Sequence, residues 1–143
     1  MTVHYADLAA LSAALTAAGI PHALGGSGLL RFLGAEVDVH DWDVTTDAPE
    51  SAVLPVVRNY PHERLGRSGP FVSRFAFALT VGSSEIDLIG GFAVRDGDET
   101  VTCRTIVTGY HESIPLGSPS EWAKIYRALG EHEKASRLDT LRR

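Results

Sequence analysis

The fold is decided by residues 23–46, which read ALGGSGLLRFLGAEVDVHDWDVTT. A Gly-Gly-Ser turn at residues 25–27 precedes a short apolar run, and the free backbone N–H groups and hydroxyl of such a helix start suit a phosphate. The second half alternates with period two, which predicts a strand with Asp41 and Asp43 on one face. Because these carboxylates lie about 7 Å apart along the strand, they can converge on the same pair of cations. A phosphate-binding turn followed by a cation-binding strand predicts a nucleotide site.

Composition predicts a single globular domain that spans residues 1–143. The hydrophobic fraction of 44% and the charged fraction of 22% are those of an ordinary soluble protein. The net charge of −5 leaves no global basic field, so nucleic acid is not expected as a partner. Cys103 is the only cysteine, no apolar run approaches the ~20 residues of a membrane span, and the N-terminus lacks a signal-peptide pattern. These features predict a cytoplasmic protein that has no membrane partner.

Periodicity predicts an α/β (α+β) fold with a mixed, mainly antiparallel sheet, helices on one face and two helices at the C-terminus. Helices are predicted at residues 5–18, 27–33, 47–58 and 118–129, and a second C-terminal helix follows Gly130. Strands are predicted at residues 22–24, 41–46, 75–81, 85–89, 92–94 and 99–107. Residues 61–69 fit either a loop or an edge strand.

A third acidic side chain stands in the predicted strand at residues 84–89. Ile86 and Leu88 are expected to face a core, which directs Asp87 to the opposite side. An acid between branched apolar residues is costly to bury unless it is paired or bound to a metal. Three acids on neighbouring strands are what a two-cation phosphoryl-transfer site requires, and magnesium suits carboxylate, water and phosphate oxygens.

These motifs, in this order and spacing, resemble the DNA polymerase β-like nucleotidyltransferase superfamily. Its small members include aminoglycoside and lincosamide adenylyltransferases and the minimal nucleotidyltransferases of toxin–antitoxin pairs. The matching positions are Gly25-Gly26-Ser27, Asp41-Trp42-Asp43 and Ile86-Asp87-Leu88, followed by Ile114-Pro115-Leu116, Ser118-Pro119-Ser120-Glu121 and residues 130–141. The resemblance therefore touches most of the chain and implies a nucleotidyltransferase fold.

The resemblance also implies roles for individual residues. Asp41 and Asp43 would hold both magnesium ions, and Asp87 would hold the catalytic ion and help to deprotonate an acceptor hydroxyl. Gly26 and Ser27 would seat the β- and γ-phosphates of a nucleoside triphosphate. The implied reaction moves a nucleoside monophosphate, AMP from ATP, to a hydroxyl of a small molecule or protein and releases pyrophosphate. The chain departs from the family where Ala135 follows Lys134, a position at which these proteins often carry Lys-Asp.

Several interpretations stay open at the level of the residues. The chain is either an enzyme or a noncatalytic nucleotide-binding module such as an antitoxin. It could act as a homodimer or with a toxin partner. Arg31 is predicted to reach the triphosphate, with an exposed helix residue as the alternative. Glu85 is a rival or auxiliary metal ligand, with a solvated or acceptor-facing side chain as the alternative. The stripe around Trp122 suits a core more than a base-stacking platform. Arg64, Arg67 and Arg74 flank a glycine-rich loop and could guide an anionic substrate, with a solvated loop as the alternative.

Overall fold

The structure is a computed structural model that describes residues 3–141. Its helices are α1 (Tyr5–Ala17), α2 (Gly26–Phe32), α3 (Glu50–Val57), α4 (Pro119–Ala128) and α5 (His132–Leu141). Its strands are β1 (Ala23–Gly25), β2 (Trp42–Thr46), β3 (His62–Arg64), β4 (Phe75–Val81), β5 (Ser84–Gly90), β6 (Ala93–Asp96), β7 (Glu99–Thr102), β8 (Gly109–His111) and β9 (Ile114–Leu116). No helix within the described range is long and apolar enough to cross a bilayer.

The strands form a seven-stranded sheet in the order β3-β4-β5-β2-β1-β9-β8, and β6 and β7 form a separate hairpin. Two neighbouring pairs are parallel, β2 with β5 and β1 with β9, whereas the other pairs are antiparallel. The predicted mixed, mainly antiparallel sheet with two C-terminal helices is therefore confirmed. Strands β4 and β5 form a hairpin, and β3 forms one edge of the sheet.

One face of the sheet carries the apolar core. Strands β4 and β5 bury every second residue, as their period-two pattern predicts. Leu8, Leu11 and Leu15 place the apolar stripe of α1 over this face, where α1 contacts β4, β5 and α3. Truncating one of these buried leucines to alanine typically costs about 2–5 kcal/mol. The core on this face is thus built by α1, α3 and the sheet, while buried residues of α4 and α5 pack over part of the opposite face.

The predicted strand at residues 99–107 is too long, because β7 ends at Thr102. Beyond it, the backbone N–H groups of Arg104 and Thr105 donate to the side chains of Glu121 and Asp47, both at 2.9 Å. A backbone whose donors are taken by side chains has none left for a strand neighbour.

The start of α4 is capped by Ser118, although the Ser118-Pro119-Ser120-Glu121 sequence forms only half of a capping box. The hydroxyl of Ser118 accepts the backbone N–H of Glu121 at 3.2 Å, and Pro119 occupies the first turn. The Glu121 carboxylate does not turn back to the cap and instead accepts the N–H of Arg104. Glu121 therefore ties α4 to the segment that follows β7.

Candidate active site

The register of the sheet places the candidate residues in one row. Gly25 pairs with Asp43 across β1 and β2, and Asp43 pairs with Asp87 across β2 and β5. The row continues to Ala78 on β4. Neighbouring strands are about 4.8 Å apart, and residues opposite each other point to the same face. The structure therefore brings the Gly-Gly-Ser turn and two of the predicted carboxylates together, on the face that is opposite to the core.

The third carboxylate, Asp41, lies one residue before β2. Its charge raises the pKa of both Asp43 and Asp87, so the three acids interact. Among residues 3–141, no side-chain hydrogen bond and no ion pair involves any of them. The group is a set of neighbouring carboxylates without a protein cation bound to it.

Burial and mutual repulsion shift the titration of the two paired aspartates. Burial raises the pKa of Asp43 to about 7, with further contributions from the charges of Asp87 and Asp41, while Lys134 opposes the shift. The pKa of Asp87 rises to about 6, first because of burial and then because of Asp41 and Glu85. Since the two groups are coupled, they titrate as a pair. Burial and repulsion among these carboxylates oppose their ionisation, and a bound cation would reduce that repulsion.

The donor set fits magnesium, although it does not form a cage for it. Carboxylate oxygens are the ligands that this ion prefers, and it is usually held by one or two carboxylates together with water and substrate phosphates. Within residues 3–141, no three side chains of His, Cys, Asp or Glu converge to hold one ion. Asp41, Asp43 and Asp87 could therefore hold cations only together with oxygens from water or a bound nucleotide.

Gly25 and Gly26 are required in the turn because a side chain at either position would overlap a neighbouring group. Gly26 has φ +60°, and a Cβ at this position would overlap the Oδ2 atom of Asp43. A Cβ at Gly25 would collide with the indole of Trp122. Ser27 follows in the first turn of α2, and its hydroxyl makes no hydrogen bond with another described residue. The turn thus presses its backbone against the carboxylate row and leaves the serine hydroxyl available.

A cavity of about 850 Å³ opens over this row. Its floor is the sheet surface around Asp43, Asp87 and Ile89, and Ser27 stands at one end. Helices α4 and α5 form one wall with Trp122, Ile125, Tyr126, Leu129 and Lys134. The opposite wall is formed by residues from the connection between β3 and β4, whereas Phe92 packs against Trp122. Asp43 and Asp87 therefore stand on the floor of a partly open cavity.

Four predicted site residues do not line the cavity: Gly25, Gly26, Arg31 and Asp41. Arg31 is exposed on α2. The prediction that Arg31 reaches a triphosphate is not tested by its position in this conformation. The side chain of Glu85 lies on the same strand face as Asp87, two residues away.

Sequence reasoning did not assign Lys134 or Tyr126 to the site. The Lys134 ammonium pairs with Glu131 at 3.1 Å and lies 5.4 Å from the centre of the Tyr126 ring. Trp122 is buried, as the core interpretation predicts, but it also lines the cavity, with its ring centre 5.0 Å from that of Phe92. A stripe of apolar residues at helical spacing gives no sign of this double role. The lysine in the first turn of α5 was the one available signal.

Comparisons with known proteins support the architecture. No protein-family model matches the sequence, and no curated protein resembles it in sequence. Among solved structures, a Thermotoga maritima protein assigned as a nucleotidyltransferase (TM1012) is similar at a TM-score of 0.68 and 20% identity, over 93% of this chain and 88% of that one. The antibiotic-resistance factor ANT(2″)-Ia is similar in its solution structure at a TM-score of 0.61 and 12% identity, over 96% and 88% of the two chains.

A crystal structure of ANT(2″)-Ia in complex with adenylyl-2″-tobramycin is also similar, at a TM-score of 0.55 and 13% identity over 94% and 91% of the two chains. At these identities the likeness concerns the fold. The similarity covers nearly the whole of each chain. The protein therefore has the fold of the small nucleotidyltransferases.

Proposed function

We propose that this protein is a magnesium-dependent nucleotidyltransferase that transfers AMP from ATP to an acceptor hydroxyl and releases pyrophosphate. The observation that carries the proposal is the pairing of Asp43 with Asp87 across two parallel strands, on the floor of a cavity and beside the Gly-Gly-Ser turn. A module that only binds nucleotides has no need of neighbouring acids whose charges repel each other. The neighbour ANT(2″)-Ia, found with an adenylylated product, is consistent with this assignment.

Nucleotide binding would use the turn and the row together. The hydroxyl of Ser27 and the backbone N–H groups around Gly26 would hold the β- and γ-phosphates. Asp41 and Asp43 would hold two magnesium ions, which neutralise the triphosphate and lower the pKa of the acceptor hydroxyl when bound. Lys134, in the first turn of α5, adds a positive charge to the wall of the cavity. Binding would thus relieve the repulsion within the carboxylate row.

The transfer itself is a single displacement at the α-phosphorus. The acceptor oxygen forms a bond to this phosphorus while the bond to the pyrophosphate oxygen breaks, and the hydroxyl proton passes to Asp87. In the metal-free protein the pKa of Asp87 is raised to about 6, mainly by burial, so its carboxylate is more basic than that of an exposed aspartate. No covalent enzyme intermediate is required, so the protein contributes positioning and charge neutralisation.

The experiment that tests the proposal separates binding from chemistry. Asp87→Ala should lower the single-turnover rate of pyrophosphate release by at least about two orders of magnitude. ATP affinity in the presence of magnesium should change little, because Asp41 and Asp43 remain. Glu85→Ala is the comparison variant, because Glu85 lies on the same strand face. A lower rate of pyrophosphate release in Glu85→Ala alone would identify Glu85 as the third acid. ATP binding without turnover in the wild type would identify a noncatalytic module.

A further inference from the structure

One wall of the cavity is a segment that we call the strap, residues 65–74, which reads LGRSGPFVSR. It connects β3 to β4 and is fastened to β6, because the N–H of Val72 donates to the carbonyl of Ala93 at 3.0 Å. The N–H of Arg95 donates back to the carbonyl of Pro70 at 2.7 Å. The strap is therefore held along its length and faces helix α4 across the cavity.

The strap is apolar and basic. Phe71 lines the cavity with 43% of its surface exposed, and Leu65 lines it as well. Arg67 makes no ion pair with any residue among 3–141, while Arg74 donates to the carbonyl of Asp47 at 3.0 Å. The strap contains no Asp or Glu. It therefore offers an aromatic surface and two guanidinium groups that no carboxylate neutralises.

Basic residues outnumber acidic ones in the lining of the cavity, although the whole chain has 18 acidic and 13 basic residues. Two of the four basic residues are paired with carboxylates, Arg64 with Glu50 and Lys134 with Glu131, which leaves Arg67 and Arg74 without such a partner among residues 3–141. Both acids, Asp43 and Asp87, belong to the row on the floor. The rest of the lining therefore has no carboxylate that could receive an ammonium group.

The strap lies on the far side of the carboxylate row from the phosphate turn. The turn belongs to β1 and the strap leads into β4, three strand positions away, which is about 14 Å at the usual spacing. In an in-line displacement the entering oxygen stands opposite the leaving pyrophosphate. If the pyrophosphate lies against the turn, the acceptor enters from the side of the strap.

From this placement we infer that the strap is the acceptor subsite, and that the acceptor is a hydroxyl compound with an apolar body and an anionic group such as a carboxylate, sulfate or phosphate. Arg67 and Arg74 would bind the anionic group, and Phe71 would contact the apolar body. A polycationic acceptor would meet like charges and no partner. The inference rests on the proposed function, since that function defines which side of the row the acceptor uses.

Two probes of equal size and opposite charge test the inference, hydroxynaphthoate and aminomethylnaphthol. Each is titrated into the full chain, with magnesium and a non-hydrolysable ATP analogue present, and binding is measured by calorimetry. We expect the anion to bind at least about tenfold more tightly, the scale of one charge-assisted hydrogen bond. Arg67→Gln should remove this preference, whereas Arg58→Gln, which changes an exposed arginine outside the cavity, should keep it.

Three results would overturn the inference: equal or tighter binding of the cation, an equal effect of the two arginine variants, or displacement of the anion by the ATP analogue. Displacement would place the anion in the nucleotide site. Binding of the analogue is measured in the same samples and tests the proposed function separately. A chain that binds the analogue but prefers the cation would retain the proposed function and lose the inference. A chain that does not bind the analogue would lose the proposed function, and anion binding at Arg67 would then no longer identify an acceptor subsite.

Discussion

Replacing Asp43 by asparagine should stabilise the metal-free protein at alkaline pH and abolish its response to magnesium. The carboxylate of Asp43 is ionised at pH 8 although burial and the charges of Asp87 and Asp41 oppose ionisation. Asparagine has nearly the same shape and removes the charge. The variant therefore loses the repulsion in the metal-free state and also loses a ligand for the cation.

The magnitude follows from the shift in pKa. An aspartate raised from an ordinary pKa near 3.8 to about 7 holds more protons in the folded state than in the unfolded state across this range. The stability that it contributes is present below the unfolded pKa and is lost as the pH rises through the folded one. From pH 5 to the folded pKa is about two pH units, which corresponds to a loss of about 3 kcal/mol in the free energy of unfolding as an upper bound. Because Asp43 is only partly buried, we expect about 1–2 kcal/mol.

The assay is urea denaturation at pH 5 and pH 8, with a chelator and then with magnesium and an ATP analogue. The free energy of unfolding of Asp43→Asn, relative to the wild type, should rise by about 1–2 kcal/mol from pH 5 to pH 8 in the chelator. Magnesium and the analogue should stabilise the wild type only. Asp98→Asn, in the exposed turn between β6 and β7, is the control and should show neither effect. A variant that loses stability relative to the wild type as the pH rises would refute the reasoning.

Three further variants test the turn and the walls of the cavity. Ser27→Ala should weaken ATP binding by about 1–2 kcal/mol in calorimetry, the contribution of one hydrogen bond to a charged group; unchanged affinity would make the turn purely structural. Gly25→Ala should lower the free energy of unfolding by about 1–3 kcal/mol, because the methyl group meets the Trp122 indole, while Gly66→Ala, which has open space, should stay within about 0.5 kcal/mol. Lys134→Met should weaken ATP binding by about 1–3 kcal/mol, with equal affinity counting against its role.

Local patterns of the sequence predict most elements of the fold. The alternation at residues 75–81 predicts β4 with the bounds that it has, and the Ser118–Pro119 start predicts α4. Both patterns depend on residues close in sequence, so physical rules for single elements suffice. The hairpin of β8 and β9 has only three residues in each strand and no strong turn signal, and it was not predicted.

The acidic residues of the site could be predicted from the sequence, whereas the residues that form the cavity walls could not. Asp43 and Asp87 stand out because each is an acid between apolar residues of a strand, a pattern that is costly without a purpose. Tyr126 on α4 and Lys134 on α5 reach the cavity because the two helices pack against each other beside it. That arrangement depends on tertiary contacts, and the lysine in the first turn of α5 was its one local signal. The roles of the acids as metal ligands stay predictions, as does any homodimer or toxin partner.

The core on one face of the sheet is what holds the carboxylates together on the other. Leu24, Val44, Leu88 and Phe77 form a buried row directly beside the row of Gly25, Asp43 and Asp87. A slip of one residue in the pairing of β2 with β5 would turn an aspartate into this core and an apolar residue toward the cavity. The cost of burying an unpaired carboxylate exceeds the repulsion that the correct register imposes. The register is therefore maintained by the apolar face, and the juxtaposed charges are its consequence.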